Sequence, residues 1–194
     1  MKTILLFATL VALPLFSYAA ENDAHAEDRK ALRAIVADFE AGLNEKKLDK
    51  LLIHLDDKAV MTFMTTDVAV GKEAVLAYYD KMFKGPDALL QDQKTKAIID
   101  NKAIFHGNTI VATGRTNDVF TLKNGKIYGF NTRWVASAIK KDNTWKVISV
   151  DFSVDPFDNV VINELQQTVW VNSIIAFIVG LLAAFALGRF RRKS

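Results

Sequence analysis

Apolar residues run almost unbroken at the two ends of the chain and recur with a period between them. Residues 4–13 and 169–187 are the continuous runs. In between, Leu32, Ile35, Val36, Phe39 and Leu43 return at helical spacing among Asp28, Arg29, Lys30, Arg33 and Glu40, which predicts an amphipathic helix over residues 27–44. A short second helix is expected over 48–55 and an apolar, strand-prone stretch over 59–64. Gly71-Lys72-Glu73 opens a third helix carrying Val75, Leu76, Tyr79, Met82 and Phe83 on one face, and Gly85-Pro86 closes it. The period then shortens to two. Four strands, at 95–105, 109–122, 126–139 and 144–154, are joined by His106-Gly107-Asn108, Lys123-Asn124-Gly125 and Lys141-Asp142-Asn143, the pattern of an antiparallel meander. Helices followed by a meander make an α+β domain whose helices cover one sheet face.

The two continuous runs address a membrane. Lys2, the apolar stretch 4–13 and Ser17-Tyr18-Ala19 read as a secretory signal peptide spanning 1–19, with Ala24-His25-Ala26 as a second possible cleavage point and 20–26 as a leader. Residues 169–187 carry Asn172 and Ser173 as their polar positions and would span about 28 Å as a helix, close to the thickness of a hydrocarbon core. Arg189, Arg191, Arg192 and Lys193 follow at once, so 169–188 reads as a single transmembrane helix and 189–194 as a basic cytoplasmic tail. The expected place is therefore the cytoplasmic (inner) membrane, with the domain periplasmic or extracellular and 156–168 a helical linker. Ala176, Gly180, Ala184 and Gly188 lie every four residues along that helix, a stripe on which two membrane helices could pack.

Composition narrows the chemistry. The 194 residues carry a formal net charge of +3, but residues 27–158 hold 20 Lys and Arg against 19 Asp and Glu, so the excess sits in the terminal segments. A balanced domain offers no basic stripe for nucleic acid. The absence of cysteine excludes disulfides, thiolate metal sites and cysteine nucleophiles. His25, His54 and His106 show no metal-ligand spacing, and no phosphate loop or Gly-x-Ser-x-Gly elbow is present, so neither metal nor cofactor is expected.

Asp49-Lys50-Leu51-Leu52, Asp57-Lys58-Ala59-Val60, Gly71-Lys72-Glu73-Ala74-Val75 and Trp145-Lys146-Val147-Ile148 before Phe152-Ser153 resemble, in order and spacing, the landmarks of the SnoaL-like and ketosteroid isomerase-like branch of the nuclear transport factor 2-like superfamily. The resemblance covers about residues 27–155. It implies a cone: a strongly curved antiparallel sheet wrapped around the N-terminal helices, with a pocket inside the mouth. Such folds serve isomerases, dehydratases, cyclases, hydrolases and non-catalytic binding domains, so the fold does not name the activity. The isomerase branch uses a helix tyrosine, a strand aspartate as base and a second, protonated aspartate. By ungapped alignment these positions fall on Phe39, on or near Phe63, and near Val135, and the aromatic that often ends the second helix is Leu55. Phenylalanine can neither donate nor abstract the proton, which disfavours steroid-type isomerisation.

Other polar candidates are His54, Tyr79, Asp118, Tyr128, Asn131, Arg133 and Asp151. Alternation places Asp118 on one strand face with Thr116 and Phe120. It reads either as a pocket carboxylate able to act as an acid or base or, as the more ordinary case, as a solvated residue on an exposed face. His54 is a lone histidine, more often packed or superficial than catalytic. The expected pocket is lined by Phe39, Leu55, Phe63, Tyr79, Asp118 and Trp134, with no assigned catalytic residue and Asp118 and His54 as the candidates. The leading function is a membrane-anchored, non-catalytic cone that binds an apolar small molecule or a partner protein. Its rivals are a lyase or isomerase acting on a lipophilic substrate with Asp118 or His54 as base, and a structural dimerisation module; a homodimer is expected. Asp118 within hydrogen-bond reach of a second polar side chain would favour the enzyme, and a sealed pocket the structural module.

Overall fold

The computed structural model describes residues 23–157 and 159–191. The expected signal peptide at 1–19 and the last tail residues, 192–194, lie outside them. Helix α1 (Ala26–Glu45) and the single turn α2 (Asp49–Leu52) precede strand β1 (Leu55–Thr62). Strand β2 (Val68–Val70), helix α3 (Lys72–Phe83), β3 (Leu90–Ile99), β4 (Ile104–His106), β5 (Thr109–Leu122), β6 (Ile127–Lys141), β7 (Thr144–Val154) and helix α4 (Val160–Arg191) follow.

The seven strands form one curled open sheet in the order β2-β1-β7-β6-β5-β3, with β4 on the β3 edge of β5. The meander expected from the turns is β5-β6-β7, paired antiparallel throughout. Strand β1 joins β7 in parallel, the one pairing of that sense among the described residues. Its neighbour in space is the last strand in sequence, so no hairpin turn signals the pairing in advance. The strand expected at 95–105 is two strands, because the chain breaks at Asp100 and Asn101 before re-entering at Ile104. The short second helix ends at Leu52 rather than 55: Leu55 already pairs with Val147 of β7.

Burial explains the layers. Ile35 of α1, Leu51 of α2, Val75 of α3 and Leu55, Ala59, Met61, Ile110, Trp145 and Val147 of the sheet form one apolar cluster between the helices and the concave sheet face. Gly71 turns the chain into α3 at φ 81°, where its N–H donates to the Ala59 carbonyl at 2.8 Å; a Cβ there would stand 2.9 Å from the Asp57 carbonyl oxygen. The outer edge of β3 is covered by side chains of α1. Asn44 Nδ2 donates to the Thr95 carbonyl at 2.8 Å, Thr95 N–H donates back to Asn44 Oδ1 at 2.7 Å, and Ala97 N–H donates to Glu40 Oε2 at 2.9 Å. Residues four apart on a helix thus meet residues two apart on a strand, and an edge that would otherwise invite strand addition is closed.

After β7 the chain turns at Asp155-Pro156-Phe157. Asn159 Oδ1 then accepts the N–H groups of Val161 and Ile162 at 3.1 and 3.2 Å, an N-cap for α4. Helix α4 runs unbroken for 32 residues. Its Val160–Phe185 segment is long and apolar enough to cross a membrane, and from Leu165 to Phe185 every side chain is exposed.

Candidate ligand cavity

Inside the cone is a cavity of about 390 Å³, within the range of small-molecule sites. Its floor and walls come from all layers: Ile35, Phe39 and Leu43 of α1, Tyr78, Tyr79 and Phe83 of α3, and Trp134, Phe130, Val150 and Phe152 of the sheet. It opens to the outside where Thr65 and Leu89, both lining residues, are exposed. Phe63 stacks on Tyr78 with ring centroids 3.6 Å apart and meets Tyr79 edge-on at 6.3 Å, so the aromatic wall is braced by its own contacts.

One polar cluster interrupts this apolar surface. Asp118 lines the cavity and is 5 % exposed, which corrects the reading of it as a solvated residue. Its Oδ1 accepts a hydrogen bond from Thr95 Oγ1 at 2.7 Å; its Oδ2 accepts from Thr132 Oγ1 at 2.9 Å and, at shorter range, from Thr116 Oγ1. Gln93 Nε2 donates in turn to Thr95 Oγ1 at 3.0 Å.

Strand pairing builds this cluster. Thr95 faces Asp118 across β3 and β5, and Thr116 faces Thr132 across β5 and β6. Since the Thr95 backbone groups are turned toward Asn44, its pair with Asp118 is the non-hydrogen-bonded kind, which brings facing side chains closest. A carboxylate offers about four acceptor positions, and three are taken, leaving one on Oδ1. Burial pushes the Tyr79 hydroxyl well above its ordinary value, with smaller contributions from Tyr78 and the Asp118 charge. Tyr79 makes no hydrogen bond to a described residue, so its hydroxyl is a second polar handle in the cavity. Burial also raises Tyr78, against an opposing hydrogen bond with Thr65.

Five of the six expected lining residues, Phe39, Phe63, Tyr79, Asp118 and Trp134, meet in this cavity. Leu55 does not. It is fully buried in the core cluster, held there by the pairing of β1 with β7, and packs behind the cavity rather than lining it. His54 is also outside: its Nε2 lies 2.7 Å from Asp38 Oδ2 on α1, and its carbonyl accepts the Val147 N–H. Asn131, Arg133 and Asp151 are exposed, and Arg133 pairs with Asp100 at 2.7 Å, whereas Tyr128 does line the cavity. Val135, near the third isomerase position, is 48 % exposed and faces away from the cavity wall that its neighbours Trp134 and Ala136 form. Nothing in the local sequence marks Thr95 or Thr132 as a partner of Asp118. Seeing Thr95 required knowing that its strand begins at Leu90, which fixes which residue faces Asp118.

Among the described residues no three His, Asp or Glu side chains converge as metal ligands. The polar chemistry of the cavity centres on the Asp118 carboxylate, the three hydroxyls that hold it and the phenols of Tyr78 and Tyr79; Glu40 also lines the cavity, but its carboxylate is engaged by Lys96 and the Ala97 N–H.

No protein-family model matches the chain, and no curated protein matches its sequence. Solved structures do match its shape. A type 2 hexachlorocyclohexane dehydrochlorinase, LinA, superposes with a TM-score of 0.60 at 13 % identity, covering 66 % of this chain and 86 % of that one. A Streptomyces avermitilis protein of the NTF2-like family, assigned as a dehydratase, gives 0.54 at 14 % identity over 66 % and 96 %. A Caulobacter vibrioides protein with a cystatin-like fold gives 0.56 at 12 % over 67 % and 92 %. The domain has the nuclear transport factor 2-like fold. At these identities the likeness concerns the fold, over about two thirds of the chain.

Proposed function

We propose that this nuclear transport factor 2-like domain is a membrane-anchored, extracytoplasmic binding module for a flat or elongated apolar molecule bearing one hydrogen-bond donor. The observation that carries the reading is the cavity itself: an almost wholly apolar chamber with one buried carboxylate that has one acceptor position open. An apolar body would displace little ordered water from the aromatic walls, and a hydroxyl or N–H on the ligand would fill the vacant position on Asp118 Oδ1. The apolar Val160–Phe185 segment of α4, followed in the sequence by Arg189 and further basic residues, supports anchoring with the domain outside the cytoplasm.

The test compares 1-hydroxypyrene with pyrene, by fluorescence titration of the full chain in nanodiscs. Saturable binding with a preference for the hydroxylated probe is expected, and Asp118→Asn should reduce that preference. Ala136→Phe, which projects a ring from the cavity wall, should abolish binding of both. Equal binding by wild type and the Ala136→Phe variant would place the probe elsewhere and end this reading.

A second reading, a lyase or isomerase, is favoured by one observation: Asp118 lies in the cavity within hydrogen-bond reach of other polar groups. Those partners are hydroxyls that hold the carboxylate, and His54 is bonded to Asp38 outside the cavity. Proton abstraction would have to use the last acceptor position of Asp118 alone. Deuterium exchange at the acidic carbon of a small cyclic enone, abolished by Asp118→Asn, would replace the binding reading with the enzymatic one. The dimerisation module expects a sealed interior, and this cavity is open at Leu89 and Thr65.

A further inference from the structure

Sheet topology decides where the mouth of the cavity lies relative to α4. The exposed lining residues Thr65 and Leu89 follow the end of β1 and precede the start of β3. Leu122, Tyr128 and Val154, which also line the cavity, stand at the end of β5, near the start of β6 and at the end of β7. Given one parallel pairing and otherwise antiparallel ones, all five strand ends fall on the same rim of the cone. Helix α4 begins six residues after Val154, from that same rim.

The helix is fastened there. Glu164 Oε2 accepts a hydrogen bond from the Tyr128 hydroxyl at 2.6 Å, and Glu164 Oε1 pairs with Lys126 Nζ at 2.6 Å. Tyr128 therefore lines the cavity with its ring and holds the helix with its hydroxyl. Beyond Glu164 the helix leaves the domain, with every described side chain exposed. Val169, where the continuous apolar run starts, lies five positions beyond Glu164, an axial distance of about 7.5 Å. The headgroup layer on one side of a bilayer is about 5–7 Å deep. The rim thus stands at the level of the headgroups, and it carries the exposed apolar residues Leu89, Ile127 and Phe157, at 59, 65 and 88 % exposure.

We infer that the mouth of the cavity rests on the bilayer that holds α4, and that the ligand is a lipid-phase molecule, of the fatty-acyl or isoprenoid class, entering from the outer leaflet without crossing water. The inference rests on the binding and anchoring reading above and names the source of the ligand. Leu89 and Ile127, which flank the end of β5 on this rim, insert among the headgroups, and the Tyr128–Glu164 bond keeps the opening turned toward the membrane.

The lack of cysteine makes the test direct. Single cysteines replacing Leu89, Ile127 or Ile53 are spin-labelled in the full chain reconstituted in liposomes. Ile53 is the control: it is as apolar and 59 % exposed, but precedes β1 at the opposite end of the sheet. Collision with oxygen, relative to a water-soluble nickel chelate, should be severalfold higher at 89 and 127 than at 53. The difference should shrink when Glu164→Ala is combined with Tyr128→Phe. Equal, water-like values at all three sites would overturn the inference. In the same liposomes a diazirine-bearing N-methyl fatty amide, a fatty-acyl probe with one N–H donor, is photolysed and its adducts are mapped by mass spectrometry. Adducts on Phe120 to Phe130 with aqueous labels at 89 and 127 would sink the membrane-facing mouth and leave the binding reading standing. Lipid-facing labels without cavity adducts would leave the docked rim standing while removing both the fatty-acyl ligand and the lipid-phase supply.

Discussion

The indole of Trp134 occupies the place where a side chain on Gly114 would stand. The two residues face each other across β5 and β6, and a Cβ on Gly114 would lie 2.2 Å from Trp134 Cζ2 and 2.3 Å from the Ile98 carbonyl oxygen. Ring and backbone both block it. The missing side chain lets the indole fold flat over β5, where its Nε1 donates to the Arg115 carbonyl at 3.3 Å and its face closes the cavity wall. Gly114→Ala should therefore destabilise the domain by about 1–3 kcal/mol, as overpacking does, and should weaken hydroxypyrene binding by tilting the indole. Urea denaturation of wild type and variant checks the first effect and fluorescence titration the second; unchanged stability would mean that the ring is free to move aside.

The contact between α1 and β3 supports the cavity from outside. Asn44 satisfies both backbone groups of Thr95, and Thr95 in turn donates to Asp118. Asn44→Ala leaves two part-buried backbone groups without their partner and should cost about 1–3 kcal/mol. It should also loosen Thr95, so the preference for hydroxylated over plain pyrene should change in Asn44→Ala although Asn44 does not line the cavity. Loss of stability with the preference intact would separate the strand edge from the polar cluster.

Much of this arrangement is legible from periodicity alone. The boundaries of β5 at Thr109 and Leu122 and of β7 at Thr144 and Val154 coincide with those expected from alternation and from the Gly- and Asn-containing turns. Helix α1 is as plain, since Leu32, Ile35, Phe39 and Leu43 leave little choice of face. Pairing between strands remote in sequence is what local pattern cannot supply. Leu55 looks like a helix-end aromatic replacement until β1 is seen to start there beside β7, and Asp118 looks solvated until β3 and β6 bring Thr95 and Thr132 to it. His54 is a similar case: its partner Asp38 lies on the preceding helix, and only the packing of α1 shows that the imidazole is occupied outside the cavity.

Acid should unfold the domain in a defined window. Hydrogen bonds from Lys140 Nζ at 2.6 Å and Trp145 Nε1 at 2.9 Å hold the Asp28 carboxyl below its ordinary value of 3.8, outweighing the opposing effect of burial. A carboxyl with a lower value in the folded state contributes stability that is complete above the unfolded value and disappears as pH falls through the folded one. Melting temperature should be nearly flat from about pH 7 to 5 and fall below about pH 4. Asp28→Asn should melt lower at neutral pH and lose less on acidification. A variant with the same acid slope as wild type would assign that slope to other carboxylates.

The junction between the domain and α4 should be stiff. Asn159 caps α4, Glu164 ties its second turn to Lys126 and Tyr128, and no Gly or Pro interrupts residues 157–179. A flexible tether would let the domain tumble and would expose its amides, whereas a capped, strapped helix protects them. Amide exchange in nanodiscs should be slow at Ile162 through Thr168. Asn159→Ala removes a cap worth about 1 kcal/mol and should speed exchange in the first turn alone. Glu164→Ala removes the strap and should free the domain to reorient, while residues 165–168, whose hydrogen bonds lie within the helix, stay protected. Fast exchange across 160–168 in the wild type would instead describe a hinge, and a hinge could not hold the cavity mouth against a bilayer as inferred above.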